Sequence, residues 1–316
     1  EYAYRLKKNV NIVQLTFNSS FAKSLVSMYA FPAKVLKKLS VNSFIAYYDF
    51  ISNCVTNVFE KTYDIAIDFY GYGSFVTAFL ATKIQAKKKA TWLHDEKPYW
   101  MKSVQKYLCE YDKIYGVSQA VVDAFCREYP HYKDKAAVFY NVIDIEEIKR
   151  KSEQDEIIPF KESFNIVTVG RLTEQKGYDI AIKAASILKK RKINFAWYAI
   201  GGGRDEKKLK KLVEKYCLEN QFVFLGRKKN PYPYMKHCDL YVQPSRHEGY
   251  VITLVEARAL CLPILSSDIP SAREQIQDGI NGYVAELSAE DLADKIEYLY
   301  NNPSQRKKTV EYLKEH

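Results

Sequence analysis

Ser245-Arg246-His247-Glu248-Gly249-Tyr250-Val251-Ile252-Thr253-Leu254-Val255-Glu256-Ala257 sets a polar, glycine-broken loop directly before an apolar helical pattern. Two acids, Glu248 and Glu256, stand in it with seven residues between them. A helix starting near Gly249 would carry their carboxylates about 12 Å apart along its axis. Eight residues also turn through about two full turns, leaving both acids within a quarter-turn of one face. Glu248 would then sit at a helix N-terminus, where backbone N–H groups favour an anion, and Glu256 two turns on. That separation suits a ligand with a hydroxylated ring on each side of a diphosphate, the description of a nucleotide sugar. The spacing alone fits equally an amphipathic helix with one capping and one solvated glutamate.

Upstream, Val169-Gly170-Arg171-Leu172-Thr173-Glu174-Gln175-Lys176-Gly177 puts two cations in a loop after a buried strand. The carboxyl end of such a strand is where open α/β sheets bind ligands. Ala199-Ile200-Gly201-Gly202-Gly203 follows as strand and glycine turn, without the GxGxxG spacing of a dinucleotide site. Phe224-Leu225-Gly226, Cys238-Asp239-Leu240-Tyr241-Val242-Gln243-Pro244-Ser245 and Asp278-Gly279-Ile280-Asn281-Gly282 complete the series. Together with the opening stretch, these motifs resemble, in order, the donor half of the retaining glycosyltransferases of family 4. The likeness covers roughly residues 165 to 285.

The resemblance implies the GT-B architecture: an α/β chain of two Rossmann-like parallel-sheet domains facing a cleft. The expected division is 1–155 for an acceptor-side domain and 156–316 for the domain that binds the nucleotide sugar. The charged, glycine-free stretch 145–163 with Pro159 serves as hinge. Members of the family begin with an earlier strand and glycine-rich loop and end with a helix returning to the first domain. Nothing here matches the first of these, so the N-terminal domain is expected to be incomplete.

The first half alternates short apolar runs with helical stretches, as parallel sheets with crossover helices do. Strands are expected at 11–15, 63–68, 90–94, 113–118 and 136–140. A turn is expected at 71–73, helices at 74–84 and 290–316, and a helix from Gln119 capped by Ser118. Asn141-Val142-Ile143-Asp144 and Cys261 carry valine and cysteine where the family commonly has glycine. The turn at Val142 must therefore avoid positive φ.

Arg171 and Lys176 would stabilise charge that grows on the diphosphate as the sugar–phosphate bond breaks, which is the useful kind of catalytic interaction. In the resembled family the matching cations do this, often without a metal. Solvated surface cations are the competing reading. The resemblance further assigns Glu256 to the ribose hydroxyls and Glu248 to the donor sugar, with the N–H groups of Gly249, Tyr250 and Val251 around it. Gly170, Gly202 and Gly226 would let backbone approach the nucleotide, with Arg204 a further candidate cation. His94, ending a strand of the first domain, would contact the sugar or diphosphate. The alternative is a histidine bonded at a strand end, and Asp95 beside it either orients the ring or is solvated. His237-Cys238-Asp239 and His247-Glu248 lack zinc spacing and read as loop residues. No metal or other cofactor is expected.

The 316 residues carry a formal charge of +10 and 47% apolar side chains, enough for a sizeable core and asking for an anionic partner. Six scattered cysteines without a CxxC pair suit reduced thiols better than a disulfide framework. No apolar run approaches the length of a spanning helix. These features point to a cytoplasmic protein. The aromatic and lysine-rich stretch 21–38 and the lysines of 83–89 fit peripheral attachment to an anionic inner membrane face, or simply solvated faces. No nucleic-acid motif accompanies them.

The function this implies is retaining transfer of a hexosyl or N-acetylhexosaminyl group from a nucleotide diphosphate sugar. UDP-sugar is expected ahead of GDP-sugar, and the acceptor is a saccharide or lipid-linked saccharide of cell-surface polysaccharide, such as capsule or lipopolysaccharide. A GT-B nucleotide-sugar epimerase and a noncatalytic sugar-nucleotide-binding subunit are the alternatives. The epimerase would need an acid/base cluster, and the pair Arg171 and Lys176 argues against the binding subunit. Lys176→Ala is expected to cost turnover at least tenfold with the fold intact.

Overall fold

The computed structural model describes residues 16–20, 23, 41–55, 59, 61–71, 74–154, 160 and 162–316. The expected strand at 11–15, most of the stretch 21–38, residues 72–73 of the expected turn and 155–159 of the expected hinge lie outside them. The chain divides into two units: one runs to Gly116 and adds Val122–Phe139, the other comprises Val117–Val121 and Tyr140–His316.

The first unit holds α1 (Val41–Cys54), β1 (Tyr63–Asp68), α2 (Phe75–Lys83), β2 (Ala86–Leu93), β3 (Lys113–Gly116), most of α3 (Gln119–Glu128) and β4 (Ala136–Val138). Among the described residues its strands form a parallel sheet in the order β1-β2-β3-β4. Ser74 caps α2 by accepting the Val76 N–H, and Ser118 caps α3 by accepting that of Val121. The strand expected at 90–94 begins earlier, because Ala86 already pairs with Tyr63 in the ladder. The four lysines of 83–89 each have a partner. Lys83 donates to Asn53 Oδ1 and Lys89 to the Ala81 carbonyl, both at 2.7 Å. Lys87 pairs with Asp64 at 2.7 Å and Lys88 with Asp112 at 2.8 Å.

At the carboxyl end of β1, the fully buried Asp68 carboxylate accepts from Gly71 N–H (3.0 Å) and from the hydroxyls of Thr77 (2.6 Å) and Thr91 (3.0 Å). A buried carboxylate is tolerated only with such partners. They tie the loop after β1 to α2 and β2.

The second unit holds α4 (Ile145–Ser152), β5 (Phe164–Val169), α5 (Tyr178–Lys190), β6 (Phe195–Ile200), α6 (Glu206–Lys215), β7 (Phe222–Gly226), α7 (Tyr232–Lys236) and β8 (Leu240–Gln243). It continues with α8 (Ile252–Ala259), β9 (Ile264–Ser267), α9 (Pro270–Arg273), β10 (Tyr283–Ala285), α10 (Ala289–Asn301) and α11 (Pro303–Glu315). Its described strands are all parallel, in the order β10-β9-β8-β5-β6-β7. Every residue of β6, β8 and β9 is buried, as both faces of a parallel sheet require. Trp197 of β6 buries its whole ring and still satisfies its indole N–H, donating to Thr168 Oγ1 at 3.0 Å.

The single helix expected at 290–316 is two helices, divided at Asn302-Pro303. Proline has no N–H to continue α10 but is well suited to the first turn of α11. No positive φ occurs at Val142, whereas Cys261 adopts φ 53°. There Cys261 N–H bonds Arg258 O at 2.8 Å and Leu262 N–H bonds Ala257 O at 3.0 Å, the left-handed closure of α8 that glycine makes without strain. Cys261→Gly should therefore raise the unfolding free energy by roughly 0.5–1 kcal/mol. A higher denaturant midpoint at unchanged m-value would show it, whereas Cys261→Ala, which keeps a Cβ, should gain nothing.

Candidate functional site

β5 pairs with β6 on one side and β8 on the other, so successive connections leave it in opposite directions. At such a switch point the loops at the carboxyl ends of adjacent strands part and leave a crevice. The loop after β5 carries Gly170, Arg171 and Lys176, and the loop after β8 carries Ser245, Arg246 and Glu248. Gly177, at φ 66°, closes the first loop against the second: a Cβ there would lie 1.8 Å from the Pro244 carbonyl oxygen. On the other side, a Cβ on Gly201 would lie 1.9 Å from the Gly170 carbonyl oxygen. The glycine turn after β6 is thus demanded first by the neighbouring backbone.

Lys176 Nζ and Glu248 Oε1 are 2.6 Å apart, with side-chain exposures of only 15% and 9%. The same oxygen accepts from Ser245 Oγ at 2.7 Å and Gln243 Nε2 at 3.3 Å. Gln243 in turn donates to Ser245 Oγ at 2.6 Å, and its Oε1 accepts from Thr253 Oγ1 at 2.9 Å and from the Tyr241 hydroxyl. Burial pushes the Tyr241 phenol well above its ordinary value, so it stays a donor. Glu248 Oε2 has no hydrogen-bond partner among the described residues.

This geometry corrects the helix expected from Gly249. α8 begins at Ile252, and among the described residues no N–H of Gly249, Tyr250 or Val251 bonds Glu248. The helical rise therefore does not set the distance between the two acids. Chain leaving β8 instead stays irregular, with a bend at Arg246, until Glu248 has reached Lys176, and side chains, not a helix N-terminus, hold the carboxylate. Glu256 lies on α8 and accepts from the Tyr232 hydroxyl at 2.9 Å. Burial raises its carboxyl above the ordinary range, partly opposed by that bond.

Two residues that sequence reasoning passed over hold this corner. Arg246 forks onto Asp179 of α5 with both contacts at 2.8 Å and donates to the Glu174 carbonyl at 2.6 Å. Its backbone N–H bonds Gln175 O at 2.8 Å, and Gln175 Nε2 bonds His247 O at 3.0 Å. Burial works to raise the Asp179 carboxyl, but the hydrogen bonds and charge of Arg246 outweigh it and hold it below the usual range. Each residue is an isolated charge in the sequence, and only their meeting marks them. Tyr232 is the second, legible beforehand only as one tyrosine among 26.

The Arg171 side chain is exposed and has no hydrogen-bond or ion-pair partner among the described residues, and Arg204 is exposed, 4.0 Å from Asp205. Gly202 follows β6, and Gly226 ends β7 at φ 70°. His94 belongs to the first unit, just past β2. Its Nε2 lies 2.8 Å from the Phe69 carbonyl, which can only accept, so that nitrogen carries the proton. Asp95 Oδ1 accepts from Lys97 N–H at 3.0 Å. Among the described residues no group of three or more His, Cys, Asp or Glu side chains is placed to hold a metal, and His237 Nδ1 bonds the Pro233 carbonyl at 2.7 Å.

A lone charge left inside this network would be costly, about 3–5 kcal/mol when one partner of a buried pair is removed. Lys176→Ala, expected from the sequence to leave the fold intact, should thus lower stability by that order in chemical denaturation, because its partner is a largely buried carboxylate. The double change Lys176→Met with Glu248→Gln should recover most of it, and a stable single variant would show that the pair is not maintained in solution.

Comparison with known proteins bears on the family and the fold. Residues 149–316, a little over half the chain, match the family described as Glycosyl transferases group 1. The chain is 33% identical over 172 residues to an uncharacterized glycosyltransferase of Methanocaldococcus jannaschii, covering 53% of this chain and 40% of that one. It is 32% identical over 157 residues to a Campylobacter jejuni enzyme, N-acetylgalactosamine-N,N'-diacetylbacillosaminyl-diphospho-undecaprenol 4-alpha-N-acetylgalactosaminyltransferase, covering 49% and 41%. The chain spans about half the length of the curated relatives it matches. Among solved structures, Anabaena HepE in complex with UDP and glucose aligns with a TM-score of 0.67 at 18% identity, covering 88% of this chain and 76% of that one. A Staphylococcus aureus TarM mutant in complex with Fondaparinux, alpha-GlcNAc-glycerol and UDP aligns with a TM-score of 0.67 at 21% identity, covering 79% and 51%. These likenesses show the fold, GT-B, with its two parallel α/β sheets.

Proposed function

Because the chain belongs to the group 1 glycosyl transferases, we propose that it is a retaining enzyme of family 4 type. It would move a hexosyl or N-acetylhexosaminyl group from a UDP-sugar, ahead of a GDP-sugar, to a saccharide or lipid-linked saccharide in surface polysaccharide synthesis. The observation that carries this reading is the Lys176–Glu248 contact at the switch point of the second sheet. On this reading, a cation for phosphate and an acceptor for sugar hydroxyls stand side by side. The UDP held by the Anabaena and S. aureus proteins supports the choice of nucleotide, and the lipid-linked substrate in the C. jejuni enzyme's name supports the acceptor class.

In this mechanism Lys176 and the exposed Arg171 take the diphosphate. Their charge counts most as the sugar–phosphate bond lengthens and negative charge collects on the leaving oxygen. Lys176 has three N–H donors, and one contact to Glu248 leaves others for phosphate. Glu248, held at Oε1 by Lys176, Ser245 and Gln243, offers Oε2 to a ring hydroxyl of the donor. Bound in this way it is an acceptor of hydrogen bonds rather than a nucleophile. The departing phosphate then takes the proton of the incoming hydroxyl on the face it leaves, which preserves the anomeric configuration. Glu256 receives the ribose hydroxyls, and Tyr232 fixes its orientation. His94, turned by the Phe69 carbonyl, is assigned to the sugar or diphosphate. The N–H groups of Gly249, Tyr250 and Val251, the turns at Gly170, Gly202 and Gly226, and Arg204 complete the nucleotide contacts. No metal enters this scheme.

Calorimetry with UDP and GDP tests the binding, and mass spectrometry of UDP-, GDP- and ADP-sugars with membrane extract as acceptor tests the transfer. No affinity for either nucleotide would defeat the reading. Ribose hydroxyls donate to the ionised carboxylate, so nucleotide affinity should rise as pH rises through the elevated value of Glu256 and level off above it. Glu256→Gln should lower affinity at least about tenfold at neutral pH, from a charge-assisted bond of roughly 1.5–3 kcal/mol, and flatten that pH dependence.

A further inference from the structure

Among the described residues, one stretch is densely cationic. Residues 183–216 hold eleven cationic and three acidic side chains, a surplus of eight against ten for the whole chain. All of these cations are exposed. They lie on α5, on the turn that follows it, and on the segment leading through α6, whose apolar side (Leu209 and Val213) is buried against the sheet.

The two helices pack together, and Lys189 Nζ reaches the Cys217 carbonyl at the end of α6. A cavity of about 250 Å³ has Lys208, Lys211 and Lys215 in its wall. A second, of about 520 Å³, has Lys183 and Lys190. Both are bounded by Asp179 and Arg246, so the lysines form one continuous face. Acids neutralise little of it. Lys210 pairs with Glu206, Arg191 with Asp294 and Glu297, and Arg204 stands 4.0 Å from Asp205. Lys183 is drawn only to Asp179, which Arg246 already holds, and Lys190, Lys192, Lys207, Lys208, Lys211 and Lys215 have no carboxylate ion pair among the described residues.

A helix that only packed against its sheet would gain from relieving this. Lys207, Lys211 and Lys215 follow one another at i,i+4 spacing, where like charges repel and destabilise the helix. Glutamate at one of these positions would serve packing better. Residues that break a local rule without structural gain are expected where function requires them.

We propose that the α5–α6 face docks the protein onto an anionic lipid surface. Nine of the eleven cations are lysines, compact hydrated charges suited to a diffuse negative layer rather than to forked recognition of single phosphates. The face offers no exposed aromatic side chain on which nucleobases would stack. Apart from Arg204, which is also assigned to the nucleotide, this surface lies outside the proposed sugar-nucleotide contacts and does not depend on them. It also differs from the lysines of β2, which are engaged with Asp64, Asp112 and the Ala81 carbonyl.

The test is co-sedimentation of the full chain with vesicles of phosphatidylcholine, with and without phosphatidylglycerol, at low and high salt. The variant combines Lys207→Gln, Lys208→Gln, Lys211→Gln and Lys215→Gln. The parent should partition onto the phosphatidylglycerol vesicles alone and leave them at high salt. The variant should lose at least about a hundredfold of that partitioning, from roughly fivefold per cation. It should keep the parent's nucleotide affinity and melt no lower, because repulsion has been relieved. Equal partitioning of parent and variant, or none by the parent, overturns the proposal. So does loss that follows only Lys87→Gln with Lys88→Gln, or tighter capture of duplex DNA than of vesicles. Vesicle binding without any nucleotide binding would leave this inference standing while the enzymatic reading fell.

Discussion

The contact between Lys176 and Glu248 imposes more on the second unit than any other pair. Both charges are largely withdrawn from water, which costs several kcal/mol per ion before any attraction is counted. The attraction repays that only when the remaining hydrogen-bonding capacity is also met. Ser245 and Gln243 meet it at Glu248 Oε1, leaving Oε2 open, and Tyr241 and Thr253 meet it at Gln243. Four elements, the loop after β5, β8 itself, the loop after it and the first turn of α8, are therefore committed to one polar cluster. Arg246, Asp179 and Gln175 hold the two loops in register from outside.

Such a cluster is placed where the sheet needs it least for cohesion. The strands beneath are apolar on both faces, and the layers of helices on either side supply the burial that keeps the unit folded. At their carboxyl ends the strands stop, the chain turns outward on either side of β5, and polar side chains can converge without displacing core. The first unit repeats the device on a smaller scale: Asp68, at the carboxyl end of β1, is satisfied by Gly71, Thr77 and Thr91. It was invisible in the sequence because a strand-terminal aspartate is ordinarily solvated.

Much was legible beforehand wherever a physical signal is local. Alternating apolar runs and helical stretches announced the parallel α/β layout, and Ser74 and Ser118 announced the starts of α2 and α3. Readings failed where a longer-range contact decided. The start of β2 moved because Tyr63, on another strand, was available to pair with Ala86. The start of α8 moved because Glu248 had a partner 72 residues away, and one ion pair with two further bonds outweighs a turn of helix. The lysines of 83–89, read as a lipid-facing or a solvated cluster, remain exposed, and what the sequence did not reveal is that Lys87 and Lys88 pair with Asp64 and Asp112.

By itself, the sequence determined the α/β class, the identity of the glycine-bearing turns and the residues carrying formal charge, because each follows from side-chain type and spacing along one segment. Which charges meet was decided only by the tertiary structure. Lys176 with Glu248, Arg246 with Asp179 and Tyr232 with Glu256 are joined by the order of strands in a sheet. That order is set by how apolar faces are buried together, a property of the whole unit that no single stretch of chain encodes.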